Sequence, residues 1–209
     1  HEKGLDQAIA LLKEMRALDI HYVTIWAFST ENWSRSPNEI KKLMVLFRAM
    51  LRKLKQEALE HEVAIHHFGR KDRIPSGVRK AIEYLETRTM DFDKFHLNLA
   101  LDYGGLDELA RGMRQVVEWI QKGKLTEQEL IANPAIILGA LDSRDQPNPD
   151  LVIRTGVSEG EIPHTSGFML PQTTYSGWKF IPELFPDLTP NLLLSQIKDF
   201  LGYDKRLGK

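Results

Sequence analysis

The chain has 209 residues, of which 42% are hydrophobic and 27% charged, and this length and composition predict one globular domain over residues 1–209. They exclude a disordered, collagen-like or coiled-coil chain. The 28 basic residues nearly balance the 29 acidic ones, which argues against broad electrostatic binding of nucleic acid. There is no cysteine, so disulfides, thiol catalysis and cysteine-bound metals are excluded. No apolar run approaches the ~18 residues of a membrane span, and we expect a cytoplasmic protein.

Helical and extended patterns alternate along the chain. The spacing of Leu5, Ile9 and Leu12 predicts a helix over 4–18, and the β-branched and aromatic run 22–28 predicts a buried strand. Ser36, Pro37 and Glu39 predict a helix start with a capping box. Later patterns predict strands at 63–68, 95–101, 151–153 and 178–181, and helices at 76–87, 106–121, from 126 and at 189–201. This alternation predicts a single α/β domain with a central, mostly parallel sheet flanked by helices.

Polar segments follow three of the predicted strands, where sites in such sheets lie. Residues 29–35 combine a hydroxyl, a carboxylate, an amide, an indole and a guanidinium, and they also suit a helix-capping loop. Gly104 and Gly105 allow a close approach of the backbone to a ligand or a neighbouring element, and they equally suit a plain turn. Arg154 before Gly156 suits an anion such as phosphate, and it also suits a surface ion pair.

Taken together, these segments resemble the cis-prenyltransferase family of the undecaprenyl diphosphate synthase type. The run 27–35, Ala-Phe-Ser-Thr-Glu-Asn-Trp-Ser-Arg, resembles its most specific motif. The other matching segments are 68–69, 73–75, 97–100, 103–105, 150–156, 185–187 and 206–208. The matches run in order along the whole chain. The resemblance implies condensation of isopentenyl diphosphate with an allylic diphosphate such as farnesyl diphosphate, which gives a cis-polyprenyl diphosphate.

The resemblance also implies roles for individual residues. Asn32 and His1 would lie near the reacting diphosphate and the proton to be lost, and would be the catalytic residues. The implied substrate-binding residues are Ser29, Glu31, Trp33, Arg35, Arg154, Ser166, Arg206 and Gly208, of which Arg206 and Gly208 would reach the partner subunit's site. Ile25, Ala27, Leu46 and Phe47 suit the walls of a product tunnel, and they suit an ordinary core as well.

The resemblance further implies Mg²⁺, a homodimer or heterodimer, and contact with a membrane surface when the product is released. Mg²⁺ would assist departure of the diphosphate. The metal ligands stay unassigned. We interpret the chain as a catalytic domain whose opening strand and diphosphate-binding loop, an Asp-Gly-Asn-Gly-Arg segment in the family, would precede His1.

Several positions depart from the family pattern. His164 stands where the family has a second arginine, and Gly177 stands where it has a metal-binding glutamate, for which Glu159, Glu161 or Glu183 could substitute. Asp102 and Leu106 replace the usual asparagine and arginine around Tyr-Gly-Gly. These departures motivate a second hypothesis, a catalytically silent homologue that acts as the partner subunit of an active enzyme. A third is a generic α/β protein that binds a phosphate ligand.

Overall fold

The computed structural model describes residues 2–202, apart from the side chains of residues 2, 3, 5 and 6. The α-helices are α1 (Glu2–Ala17), α2 (Pro37–Glu60), α3 (Ser76–Thr89), α4 (Gly105–Gln121), α5 (Glu127–Ala132) and α6 (Pro190–Leu201). The strands are β1 (Tyr22–Ser29), β2 (Val63–Phe68), β3 (Phe95–Tyr103), β4 (Leu151–Thr155) and β5 (Gly177–Ile181). Short 3-10 helices cover Thr30–Ser34, Pro134–Ala140 and Phe185–Asp187.

The strands within residues 2–202 pair only in parallel, and they form two sheets instead of one. The larger sheet has the order β1-β3-β2, and the smaller one pairs β4 with β5. The predicted α/β fold with a parallel sheet flanked by helices is therefore confirmed, although the sheet is divided. Parallel strands need long crossover connections, and α2 and α3 provide them between β1, β2 and β3.

The main core lies between the three-stranded sheet and the helices α1, α2 and α3. Alternate residues of β3 enter it, and so does one face of α2. Its most deeply buried members include Leu51, Leu54, Ile82, Leu85 and Leu97. Fully burying each such side chain stabilises the fold by roughly 1.5–3 kcal/mol before conformational entropy is subtracted. Two smaller clusters join α1 to β5 and α6, and the larger sheet to Phe168 and Met169.

A register shift at the end of β1 sends consecutive aromatic residues to opposite sides of the sheet. In a regular strand, Trp26 and Phe28 would share one face. Here the pairing with β3 shifts between them, so Trp26 packs with Phe168 while Phe28 enters the main core. The shift leaves Ser29 opposite Tyr103, so the polar loop that follows Ser29 begins at the carboxyl end of β3.

The predicted capping interaction at the start of α2 is half formed. The hydroxyl of Ser36 accepts a hydrogen bond from the backbone N–H of Glu39, as expected for an N-cap. The carboxylate of Glu39 accepts from Arg35. The complete capping box predicted at the start of α5, between Thr126 and Glu129, is confirmed.

Candidate active site

The first two polar segments predicted from the sequence meet at the carboxyl end of the larger sheet, and the loop that follows β4 approaches the second of them at Gly167. A Cβ atom on Gly104 would lie 2.5 Å from the hydroxyl of Thr30, and one on Gly105 would lie 2.0 Å from the carbonyl oxygen of Gly167. Side chains at these two positions would collide with the neighbouring segments. The paired glycines therefore serve the approach of neighbouring elements, one of the two roles expected of them.

The first segment is organised by its own hydrogen bonds. The backbone N–H of Ser29 donates to the amide oxygen of Asn32 at 2.9 Å, and the hydroxyl of Ser34 donates to the carbonyl of Glu31 at 2.7 Å. Partial burial raises the pKa of Glu31, but its own backbone N–H and the hydroxyls of Ser29 and Thr30 outweigh this and lower the pKa below its ordinary value. The loop thus holds an ionised carboxylate beside an amide.

Trp33 is fixed on both of its sides. Its ring packs edge-on against Phe28 in the main core, with 5.1 Å between centroids. Its indole N–H donates to a carboxylate oxygen of Asp102 at 2.8 Å. Asp102 is fully buried and accepts two further hydrogen bonds from the guanidinium of Arg73, which is one-third exposed. The loops after β1 and β2 therefore meet at one buried carboxylate of β3.

Arg35 occupies the exposed end of the same loop. Its guanidinium donates to Glu39 at 2.8 Å, and both side chains are more than one-third exposed. An exposed ion pair of this kind contributes only about 0–1 kcal/mol. Arg35 can therefore exchange Glu39 for a phosphate oxygen at small cost.

Arg154 ends β4 and meets the loop that follows it. One guanidinium nitrogen donates to the hydroxyl of Ser166 at 2.7 Å and to the carbonyl of His164. The hydroxyl of Ser166 lies 3.0 Å from the ring nitrogen Nδ1 of His164. Ser166 adopts a φ of 51°, in the left-handed region that non-glycine residues rarely enter. The structure thus brings together the predicted pair Arg154 and Ser166, with His164 as a third polar neighbour.

A buried polar network under these loops involves residues that sequence reasoning missed. The carboxylate of Glu108 accepts from the hydroxyl of Tyr103 at 2.6 Å, from the side-chain amide of Gln172 at 3.0 Å and from the backbone N–H of Asp142 at 2.9 Å. Burial is the main cause of the raised pKa of Glu108. A buried acid in the first turn of α4 looks like ordinary helix chemistry in the sequence, so only the approach of Gln172 and Asp142 identifies it.

A large cleft among the described residues lies elsewhere. It has a volume of about 750 Å³, runs beside β2, and includes none of the predicted site residues. Its charged groups are largely paired, as Arg111 is with Asp142 and Lys71 with Glu86. The volume of this cleft therefore does not identify the loops that carry the predicted site residues.

A family model described as "Putative undecaprenyl diphosphate synthase" matches residues 1–208. The chain belongs to this family. The predicted resemblance to cis-prenyltransferases is confirmed, and with it the assignment as a prenyltransferase.

Curated relatives and solved structures agree. The chain is 32% identical to an isoprenyl transferase of Thermus thermophilus, over all of this chain and 80% of the relative. It is 35% identical to a tritrans,polycis-undecaprenyl-diphosphate synthase (geranylgeranyl-diphosphate specific) of Thermococcus kodakarensis, over all of this chain and 78% of the relative. The lavandulyl diphosphate synthase of Lavandula x intermedia, solved with dimethylallyl diphosphate, has a TM-score of 0.92 at 26% identity, over all of this chain and 88% of that one. A probable undecaprenyl diphosphate synthase of Campylobacter jejuni gives 0.83 at 28%, over all of this chain and 93% of that one.

Three of the residues that the family resemblance singles out, His1, Arg206 and Gly208, lie outside the described residues, and their roles stay predictions. The suggested tunnel residues Ile25, Ala27 and Phe47 are partly buried against the main core, which fits both interpretations offered for them.

Gly177 has a structural explanation. A Cβ atom at this position would lie 2.7 Å from the ring of Phe200 in α6, so a glutamate would fit here only if that ring moved. Among the described residues, 2–202, no three histidine or acidic side chains lie close enough together to hold a metal ion. Proteins commonly hold Mg²⁺ with one or two carboxylates and the phosphates of the substrate, so the metal ligands stay unassigned.

Proposed function

We propose that this protein elongates prenyl chains with isopentenyl diphosphate. The C–O bond of an allylic diphosphate breaks and its diphosphate leaves. The terminal double bond of the isopentenyl unit supplies the electrons for the new carbon–carbon bond, and loss of a proton from that unit restores a double bond, now internal and cis. The observation that supports this best is the contact between the three loops, which brings an aromatic wall, Trp33 on Phe28, into the same assembly of loops as an amide and two arginines. Such a reaction needs apolar walls for the prenyl chain and cationic groups for the diphosphates.

The residues divide between the two substrates. We assign the allylic diphosphate to the loop of Ser29, Glu31, Asn32, Trp33 and Arg35. The oxygen of Asn32 is already bound to the backbone of Ser29, so its NH₂ group is the part that can donate to a diphosphate oxygen. His1 would act with Asn32 near the proton that is lost.

Arg154 and Ser166 are assigned to isopentenyl diphosphate. The guanidinium of Arg154 already bridges the hydroxyl of Ser166 and the carbonyl of His164, so a phosphate would replace or extend those contacts. Charge-assisted bonds to phosphate are about twice as strong as neutral ones, which favours the exchange.

A homodimer is supported by an apolar stripe on α4. Leu106, Ala110, Met113 and Val117 are spaced four, three and four residues apart, so they share one face of the helix. All four are exposed, and Leu106 remains 73% accessible. A second copy of the chain would cover this stripe, and Arg206 and Gly208 would then reach the partner's site. We expect Met113→Glu to convert a dimer into monomers in sedimentation velocity. A wild-type chain that sediments as a monomer would contradict this.

None of the helices within residues 2–202 combines the length and apolar character needed to cross a membrane. We propose a cytoplasmic enzyme that touches a membrane surface to release its apolar product. We also propose that it requires Mg²⁺, as members of this family generally do.

The test is incorporation of labelled isopentenyl diphosphate with a panel of primers: dimethylallyl, farnesyl and geranylgeranyl diphosphate. The last two primers are longer than the dimethylallyl diphosphate of the Lavandula x intermedia structure, and they include the geranylgeranyl diphosphate for which the Thermococcus kodakarensis relative is specific. We expect incorporation with at least one primer, and its loss when EDTA removes Mg²⁺. If no primer is extended while the Thermus thermophilus relative is active in the same assay, the silent-subunit hypothesis gains and ours is wrong.

A further inference from the structure

The buried carboxylate of Asp102 links the loop of Trp33 to the loop of Arg73, a residue that has no role in the proposed reaction. It has no exposed surface, and its three hydrogen bonds come from the indole of Trp33 and the guanidinium of Arg73. Trp33 belongs to the loop after β1, and Arg73 belongs to the loop after β2. Asp102 itself is the next-to-last residue of β3, the middle strand of the sheet, so it lies between the two loops.

The backbone around Asp102 is fitted to this position. Its φ is 56°, a left-handed conformation in which aspartate is one of the few tolerated side chains. Its carbonyl oxygen accepts the backbone N–H of Arg70 at 3.0 Å. A Cβ atom on Gly69 would lie 2.5 Å from that oxygen, so the loop that carries Arg73 can approach only because residue 69 is glycine.

Removing one member of this group leaves another buried and unsatisfied. The indole N–H of Trp33 can only donate, so it needs the acceptor that Asp102 provides. The buried carboxylate needs the charge of Arg73, because an unpaired charge is costly in the interior. The guanidinium also lies 6.0 Å from the centre of the Trp33 ring. Trp33 is thus held from its polar edge by a charged pair and from its apolar side by Phe28.

We propose that Asp102 and Arg73 are a positioning pair that sets the orientation of Trp33, and thereby the affinity and selectivity for the allylic substrate. The inference rests on the proposed function, in which Trp33 lines the allylic site. Neither residue of the pair is assigned contact with a substrate. Their influence passes through the indole ring.

The test is a double-mutant cycle between Asp102→Asn and Trp33→Phe, with both Michaelis constants measured. Asparagine keeps the shape but presents a second donor where Arg73 already donates. We expect Asp102→Asn to raise the KM for the allylic diphosphate about tenfold while the KM for isopentenyl diphosphate stays within about twofold. In the Trp33→Phe background, the same substitution should add little, because the ring through which it acts has lost its N–H.

Asp72→Asn is the matched control, because Asp72 lies one residue from Arg73 and its carboxylate is 62% exposed in a pair with Arg70. It should leave both constants unchanged. The NMR resonance of the Trp33 indole N–H reports on the position of the ring, and its absence from the spectrum of Trp33→Phe assigns it. Its chemical shift should change in Asp102→Asn and Arg73→Gln and stay the same in Asp72→Asn.

The outcomes separate the two levels of the account. A wild-type protein that extends no primer overturns the proposed function, and this inference with it. An active wild type in which Asp102→Asn raises both Michaelis constants alike, or acts independently of Trp33, overturns the inference alone. If Asp102→Asn does not fold, the comparison of Arg73→Lys with Arg73→Gln takes its place. Arg73→Lys keeps the charge, so the inference is overturned if this variant fails to restore the allylic KM relative to Arg73→Gln.

Discussion

The loops assigned to the two substrates are built in different ways. On the allylic side, Trp33 is locked between Phe28 and the fully buried carboxylate of Asp102. On the isopentenyl side, Arg154, His164 and Ser166 contact one another, but His164 and Ser166 are exposed to solvent. In the first region, contacts within the protein already fix the position of the Trp33 ring. The second is an open cluster that an anion can rearrange.

This difference has a consequence for mutations. A change in a buried, fully bonded group affects stability as well as activity, because it leaves partners unsatisfied. A change in an exposed cluster affects substrate binding with little effect on stability. We therefore expect different effects from variants in the two regions, in the loop that joins them, and in an ion pair distant from both.

The largest effect is expected for Asn32→Ala on the allylic side. The substitution removes the amide that we propose donates to the leaving diphosphate, and the backbone N–H of Ser29 loses its acceptor. By analogy with the loss of one transition-state donor, kcat should fall about 100-fold. Steady-state kinetics measure this, with Asn38→Ala, at an exposed residue near the start of α2, as the control. An unchanged kcat would remove Asn32 from the catalytic assignment.

Arg154→Ala should affect the isopentenyl side next most strongly. Loss of a charge-assisted contact to phosphate costs about 1.5–3 kcal/mol, so the KM for isopentenyl diphosphate should rise roughly 10- to 100-fold. Because the cluster is not deeply buried, the midpoint of thermal unfolding should stay nearly constant. Ser166→Ala serves as a weaker companion variant. If the melting temperature falls steeply while the KM holds, Arg154 is structural.

Gly105→Ala tests the junction between the two sides. The added Cβ would lie 2.0 Å from the carbonyl oxygen of Gly167, next to Ser166. Overpacking of this kind costs typically about 1–3 kcal/mol, so urea unfolding should show a loss of that size. Gly123→Ala is a useful comparison, because nothing lies within 4 Å of its added Cβ, although its own positive φ carries a small strain. Equal losses in the two variants would contradict a tight junction at Gly105.

The smallest effect is expected at Glu57, which pairs with Arg16 at 2.6 Å, away from both loops. Burial raises its pKa, but the hydrogen bond and charge of Arg16, with Lys13 and His61, outweigh it and hold the pKa below its ordinary 4.5. The pair therefore stabilises the fold above pH 4.5, and this contribution is lost as the pH falls through the lowered pKa. Glu57→Gln should leave turnover unchanged, and it should lower the free energy of unfolding at pH 7 by about 1–2 kcal/mol, because the side chains of Arg16 and Glu57 are only 18% and 13% exposed.

That difference in stability should narrow in acid. Unfolding curves at a series of pH values between neutral and acidic conditions measure it. A gap between wild type and Glu57→Gln that widens in acid would show that the sign of the pKa shift is wrong.

Local patterns in the sequence were sufficient for the elements and for the main site segments. The strand at 63–68 and the capping box at Thr126 follow from neighbouring residues alone, and both are confirmed. Gly104 and Gly105 suited either a close approach of a neighbouring element or a plain turn. The structure shows the close approach, which residues without a Cβ atom allow. The prediction that the site lies at the carboxyl ends of the strands came from a general property of parallel sheets and stays a prediction.

Features that depend on distant contacts could not be predicted in the same way. The shift in β1 that separates Trp26 from Phe28 arises in pairing with β3, and the division of the strands into two sheets is likewise a property of the assembled fold. Glu108 became visible only when Gln172, 64 residues away, was found to donate to it. Gly177 looked like a lost ligand in the sequence, whereas the structure shows the ring of Phe200 against it.

The most direct test of the division between the two regions is to measure both Michaelis constants in Asp102→Asn and Arg154→Ala side by side. The account predicts opposite patterns: Asp102→Asn raises the constant for the allylic diphosphate, and Arg154→Ala raises the one for isopentenyl diphosphate. If either variant raises both constants to the same degree, the two loops do not serve separate substrates and the account is wrong.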